Sequence, residues 1–137
     1  MAFTPILYDQ GKLVRVAAAN STTFVKGDAV VDNGSGLLTT ASAGGNVDIR
    51  YICMESVTTT SSGQFILCCS TDGVTFLADT DAAWAQTDVG TEADLAAAGQ
   101  VDPDASTDDV FYIERGIGGA AVGTQVWGHF TRGVMNS

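Results

Sequence analysis

Turn-forming residues cut this chain into pieces too short for stable helices. Asn33-Gly34 in "VDNGSGLL" and Asp72-Gly73 in "CCSTDGVTF" each separate two apolar or β-branched runs. Glycine accepts the positive φ angles of a tight hairpin turn, and Asn and Asp tolerate them beside it. The runs themselves alternate. In "DIRYICMESV", Ile49, Tyr51, Cys53 and Glu55 point one way, and Arg50, Ile52, Met54 and Ser56 the other. Such alternation over a few residues is the mark of a half-buried strand. In "KLVRVAAA" it puts Val14 and Val16 on one face. "GQFILCCSTDGVTFLAD" predicts a hairpin, with Phe65 to Cys69 as one strand and Val74 to Leu77 as the return. "VFYIERG" and "QVWGHFTRGV" predict an antiparallel pair joined by "IGGAAVGT", with Val126, Gly128 and Phe130 on one face and Trp127, His129 and Thr131 on the other. Closing a sheet on itself removes exposed edges. The fold class expected is all-β, a small antiparallel β-barrel forming a single domain over residues 1–137.

One segment breaks the pattern. "TDAAWAQTDVGTEADLAAAGQVDPDASTDD" is rich in alanine and acid and poor in β-branched residues. Thr91 followed by Asp94 is a loose capping box. The sequence therefore predicts one short helix in "EADLAAAG", ended by Gly99, inside an acidic insertion at 79–109. Trp84, Val89 and Leu95 are expected to pack it.

Charge narrows the function classes. The net charge is −10, which opposes nucleic-acid binding and docking on anionic membranes. Twelve acids and no Lys or Arg lie between Arg50 and Arg115, while the bases lie toward the two ends. If the ends come together, the surface is dipolar and suits an oppositely charged partner or a second copy; otherwise the acids simply keep the protein dispersed. Charged residues make up only 16% of the chain, against about 25% in soluble domains, which fits either a surface partly covered by something else or a plain Thr-rich β domain of extracellular style. The three cysteines, Cys53, Cys68 and Cys69, form neither a disulfide framework nor a zinc spacing. Buried free thiols and synthesis in a reducing cytoplasm are expected. "MAFTPILYDQ" lacks the basic and apolar regions of a signal peptide, and no apolar run reaches the ~20 residues of a membrane helix.

No motif carries catalysis or a cofactor. Gly116-Ile-Gly118-Gly-Ala-Ala121 fits G-x-G-x-x-A, but a strand-like segment follows where a dinucleotide fold needs a helix. Asp102, Asp104, Ser106 and Asp108 mimic calcium-loop positions, yet Pro103, Thr107 and Ile113 occupy places that need other residues. His129 is the single histidine, with no nucleophile elbow or metal motif near it. No enzyme activity, no cofactor and no metal site are expected. Trp84 and Trp127 read as core or interface anchors; clustered with Tyr51 and Tyr112 on one exposed face, they would favour a sugar- or host-surface-binding module.

The corner "FVKGDAVV" (F-x-x-G-D-x-V), the later "VGTEADLAAAGQV" and the closing pair "FYIERG…VWGHF" resemble the capsid decoration, or cement, proteins of tailed double-stranded DNA phages. The resemblance covers most of the chain by order and character. The longer 79–109 segment departs from it. What it implies is a structural virion protein on the outer surface of the phage head. Such a protein binds the major capsid protein, clamps neighbouring subunits and stabilises the expanded shell. Self-association as a homotrimer, or alternatively a dimer, is also implied. Residues 1–8 are apolar and could dock as an added strand, through Phe3, Pro5, Ile6, Leu7 and Tyr8. An ordinary first barrel strand explains the same residues, and both readings stay open.

Overall fold

The computed structural model describes residues 2–7, 10–42, 48–106 and 108–131. The chain is all-β. It closes two five-stranded rings where the sequence reading expected one barrel.

The first ring takes its strands from residues 13–70. β2 (Leu13–Ala18), β4 (Ala29–Asp32), β5 (Leu38–Thr40), β6 (Tyr51–Cys53) and β8 (Gln64–Ser70) close in the order β2-β5-β4-β6-β8. β3 (Thr23–Phe24) and β7 (Val57–Thr58) form a short ribbon of their own. Alternation decides what lies inside. Val30, Ile66, Cys53 and Cys68 are buried together with Ala18, Phe24 and Leu38, and Val14 and Val16 pack against them. The β4–β5 hairpin is present, but its turn is longer than two residues. Asn33 N–H donates to the Leu37 carbonyl (2.8 Å), and the Asn33 side chain accepts from Ser35 (2.8 Å).

The second ring takes β9 (Thr75–Thr80), β10 (Glu92–Ala97), β11 (Gln100–Asp102), β12 (Phe111–Ile117) and β13 (Gln125–Phe130). Hydrogen bonding runs β9-β11-β10-β12-β13 and returns from β13 to β9. The β12–β13 pair and its two faces follow the sequence expectation. β1 (Phe3–Leu7) adds antiparallel to β9, with Phe3 opposite Ala78. Four phenylalanines meet in this ring's core. Phe130 packs against Phe3 (4.9 Å between centroids), Phe111 (5.1 Å) and Phe76 (5.4 Å). Burying a side chain of this size contributes ~1.5–3 kcal/mol relative to leaving it exposed.

Several expectations are corrected. The helix expected in "EADLAAAG" is strand β10, which pairs with β11 and β12. A run this short gains little as a helix, whereas as a strand it buries Ala93, Asp94 and Leu95 and completes a ring. The nearest helical turn is a 3-10 turn at Gln86–Asp88, where Asp88 accepts the Ala85 amide (2.7 Å). Residues 79–109 are therefore no insertion, since they supply two of the second ring's strands. The hairpin expected across Asp72-Gly73 is a crossover. β8 pairs with β2 and β6, while β9 belongs to the other ring. The turn itself exists, with Val74 N–H reaching the Thr71 carbonyl and Gly73 at φ 66°. Asp72 does not share the positive φ, so the turn lacks the twist that keeps hairpin strands together. Thr71 is instead held to the first ring by hydrogen bonds to Ile49 and Arg50. Finally, one pairing in each ring is parallel, β2 with β5 and β9 with β11.

The rings share a core. Ala29, Ile52 and Cys69 turn outward from the first ring and pack with Phe3, Phe76, Ile113 and Val126 of the second. The Gly27 corner joins them as well. Val25 to Asp28 form a turn (Asp28 N–H to the Val25 carbonyl, 3.0 Å) with Gly27 at φ 95°. This is the positive φ that the third position of a type II turn requires. The Gly27 carbonyl accepts the Phe3 amide (2.8 Å), and its N–H donates to Cys53 (2.8 Å).

Candidate docking surface

The residues the sequence singled out are dispersed, and each has a local task. Phe3, expected as a docking residue, is 1% exposed and supplies the protein's own core. Pro5 and Ile6 are half-buried. Leu7 stands opposite Thr75 in the strand register. Tyr8 lies outside the described residues. Pro5 lines a groove of about 360 Å³ with Thr4, Lys26, Gly27 and Met54. The Phe3 amide points away from β9, toward Gly27. By strand alternation the next backbone position facing that way is Pro5, which has no N–H to offer an added strand.

Trp84 is buried, and the glycine-rich loop explains why. Its indole N–H donates to the Ile117 carbonyl (2.9 Å), and its backbone bonds Gly123 and Ala121. A Cβ on Gly116 would fall 2.0 Å from the Trp84 ring. The G-x-G-x-x-A match is thus a wrapper for an indole. In the acidic loop, the Asp102 carboxylate accepts the Asp104 amide (3.0 Å). The buried Asp94 accepts the amides of Asp108 (2.7 Å) and Asp109 (2.9 Å). Backbone donors occupy these carboxylates. Among the described residues no group of three His, Cys, Asp or Glu is placed to hold a metal ion.

Tyr112, Trp127 and His129 share the outer face of the second ring. His129 Nδ1 lies 2.8 Å from a Glu114 carboxylate oxygen and stacks beside Tyr112 (5.1 Å). The Arg115 guanidinium covers Trp127 (4.4 Å). Tyr51 packs against the first ring's core, so the four aromatic residues weighed for a sugar platform do not converge.

The first ring carries what the sequence reading missed. A groove of about 480 Å³ is lined by Lys12, Val14, Arg15, Val16, Tyr51 and Phe65, among others, with no acid among the described residues that line it. Phe65 is 63% exposed, a large apolar side chain on an open strand face. The sequence predicts Phe65 to Cys69 as one apolar strand. Strict alternation would have separated the outward Phe65 from the buried Ile66 and Cys68. Lys12 pairs with Asp72 (3.7 Å) and Arg15 with Glu55 (3.9 Å), both at the surface.

Charge divides along the same line. Residues 10–70 set Lys12, Arg15, Lys26 and Arg50 against Asp28, Asp32, Asp48 and Glu55, whereas residues 71–131 set Arg115 against eleven acids. Burial pushes the Asp28 carboxyl above its ordinary value. Asp81 is raised by burial and by the neighbouring Asp102 and Asp104 carboxylates. No protein-family model, curated protein or solved structure matches this chain.

Proposed function

We propose that this chain is a structural virion protein that binds the outside of a phage capsid, clamps neighbouring major capsid subunits and stabilises the expanded head. The reading rests on the resemblance of the "FVKGDAVV" corner and the closing strands to decoration proteins. The observation that carries it is the division of charge between the rings. A clamp needs one side that gives up water readily and another that keeps the particle dispersed. The first ring, balanced in charge and presenting Phe65 beside Lys12 and Arg15, suits the shell-facing side. The acidic second ring suits the solvent. Several modest contacts per particle add by multivalency, and self-association as a homotrimer, or a dimer, would multiply them. The reading assigns the chain no catalytic step. Pro5 and Ile6 are secondary contacts, since Phe3 is committed to the core.

Mixing the purified chain with expanded shells that lack it tests the proposal. Saturable occupancy and raised thermal resistance of the shell are expected. Absence of binding at micromolar concentration overturns it. A second reading, a sugar- or host-surface-binding module, draws on Tyr112 and Trp127 sharing one outer face. A glycan-array signal lost in Trp127→Ala, with no shell binding, would favour it.

A further inference from the structure

Cys53 and Cys68 are separated in sequence but directly opposed in space, as Cα partners in the antiparallel β6–β8 ladder. The hydrogen bonds fix what kind of pair this is. Met54 N–H donates to the Leu67 carbonyl (2.8 Å), while Cys53 N–H turns away to Asp28 (2.8 Å). One bond thus joins Met54 to Leu67, whose own N–H donates to the Glu55 carboxylate (2.6 Å), and Cys53 with Cys68, its N–H turned toward β4, is the adjacent non-bonded pair. Opposed Cα atoms in such pairs lie ~4.5 Å apart, within the span that a disulfide bridges. Both side chains enter the same cluster with Phe24, Val30 and Ile66, and both are fully buried. Cys69 faces the other way, into the core shared with the second ring. Strand alternation therefore keeps it from either partner.

We propose that Cys53 and Cys68 are a modification site, a dithiol that closes as an intramolecular cross-strand disulfide when a peroxide reaches it, leaving Cys69 as a thiol. One sulfur, having lost its proton, attacks a peroxide oxygen and breaks the O–O bond. This leaves a sulfenic acid, and the released hydroxide becomes water. The other sulfur displaces the sulfenic oxygen as a second water, and the S–S bond forms. The peroxide is reduced to two waters, and each sulfur gives up one electron.

The folded ring controls the rate. Burial, with the neighbouring Cys53 and Glu55, pushes the Cys68 thiol up to about 12. Burial likewise raises Cys53. The closed protein thus holds protonated, sealed sulfurs, and thiolates are what react. Reaction waits on opening of the ring. Its thinnest seam is β2–β5, joined by the single pairing Ala18 with Leu38. β6 ends at Cys53, so the bond would pin a strand end, and it would close the loop that carries β7.

The test uses the full reduced chain, treated with hydrogen peroxide in buffer and in urea below the unfolding transition. Products are read by intact mass and by non-reducing peptide mapping. A monomer lighter by two hydrogens is expected, linked Cys53 to Cys68, forming roughly tenfold faster in the urea that populates local opening. Its urea midpoint is expected to rise and to return on reduction. Cys69→Ala is expected to keep the bond and Cys68→Ala to abolish it. If Cys68→Ala fails to fold, mapping of the unmodified sequence decides alone. A Cys69 link, a chain-to-chain link as main product, or sulfinic acid without a bond overturns the proposal. So does no reaction where amide exchange shows the first ring open.

Discussion

Over residues 10–70 the first ring balances four bases with four acids around a core of small and branched side chains, with Phe24 the one phenylalanine among its described core residues. Over residues 71–131 the second ring gathers eleven acids against Arg115 around a core in which four phenylalanines interlock. The difference separates two tasks. Aromatic packing makes the second ring the anchor of stability, able to carry a surface of like charges that repel one another. The first ring, near neutral in net charge over residues 10–70, is the side that the proposed clamp would turn to its partner. Between them run shared core residues and the strand β1, so the rings are distinct in character but joined in energy.

Phe3→Ala gives the largest expected effect and the sharpest test of that joining. Removing a buried phenylalanine costs about 3–5 kcal/mol. Urea unfolding followed by Trp84 fluorescence in the second ring and by thiol exposure of Cys53 and Cys68 in the first is expected to show both transitions moving together. Retained thiol protection after Trp84 is lost would separate the rings.

Gly27→Ala comes next, at about 2 kcal/mol. Its Cβ would meet the Ala2 Cβ at 2.4 Å, from a backbone at φ 95°. Faster amide exchange at Phe3 is expected, with the β12–β13 amides unchanged. Unchanged exchange at Phe3 would remove the corner from the linkage.

Asp79→Asn acts on the same strand more weakly. Burial disfavours the Asp79 charge, but the Gln125 side chain (3.1 Å) and the Ala2 amide (2.8 Å) are among the contacts that outweigh it and hold the carboxyl below its ordinary value. A depressed carboxyl contributes stability above its unfolded pKa and loses it as pH falls through the folded one. A loss of about 0.5 kcal/mol at neutral pH is expected for this partly exposed group. The gap to the unmodified protein should close in acid, below the ordinary carboxylate range. A gap that persists there would assign the effect to shape.

Phe65→Ser is expected to change stability by less than about 0.5 kcal/mol, as exposed substitutions do. Its effect should appear in shell occupancy. Equal occupancy would move the contact elsewhere and undo the functional half of the comparison.

These residues also show how much the sequence discloses. The β12–β13 pair and the shared face of Val14 and Val16 were legible, because alternation and turn chemistry act locally. The division into two rings was not. It depends on where β8 and β9 find partners, and a turn at Asp72-Gly73 looks the same whether its strands pair or part. β10 was misread because alanine favours helices when nothing else intervenes, and the pairing with β12 is a tertiary fact. The groove lay hidden for a similar reason. Lys12, Arg15 and Phe65 converge only because β2 lies beside β8.

The position of β1 has a consequence for the order of events during synthesis. Phe3 is synthesised before the first ring, yet its partner Ala78 follows that entire ring. The strands of residues 13–70 can close on one another while β1 waits unpaired. The aromatic cluster forms last, when β13 delivers Phe130. Late pairing of such distant segments slows folding and leaves an apolar strand exposed in the interval. A chaperone that binds short extended apolar segments would find its target in β1.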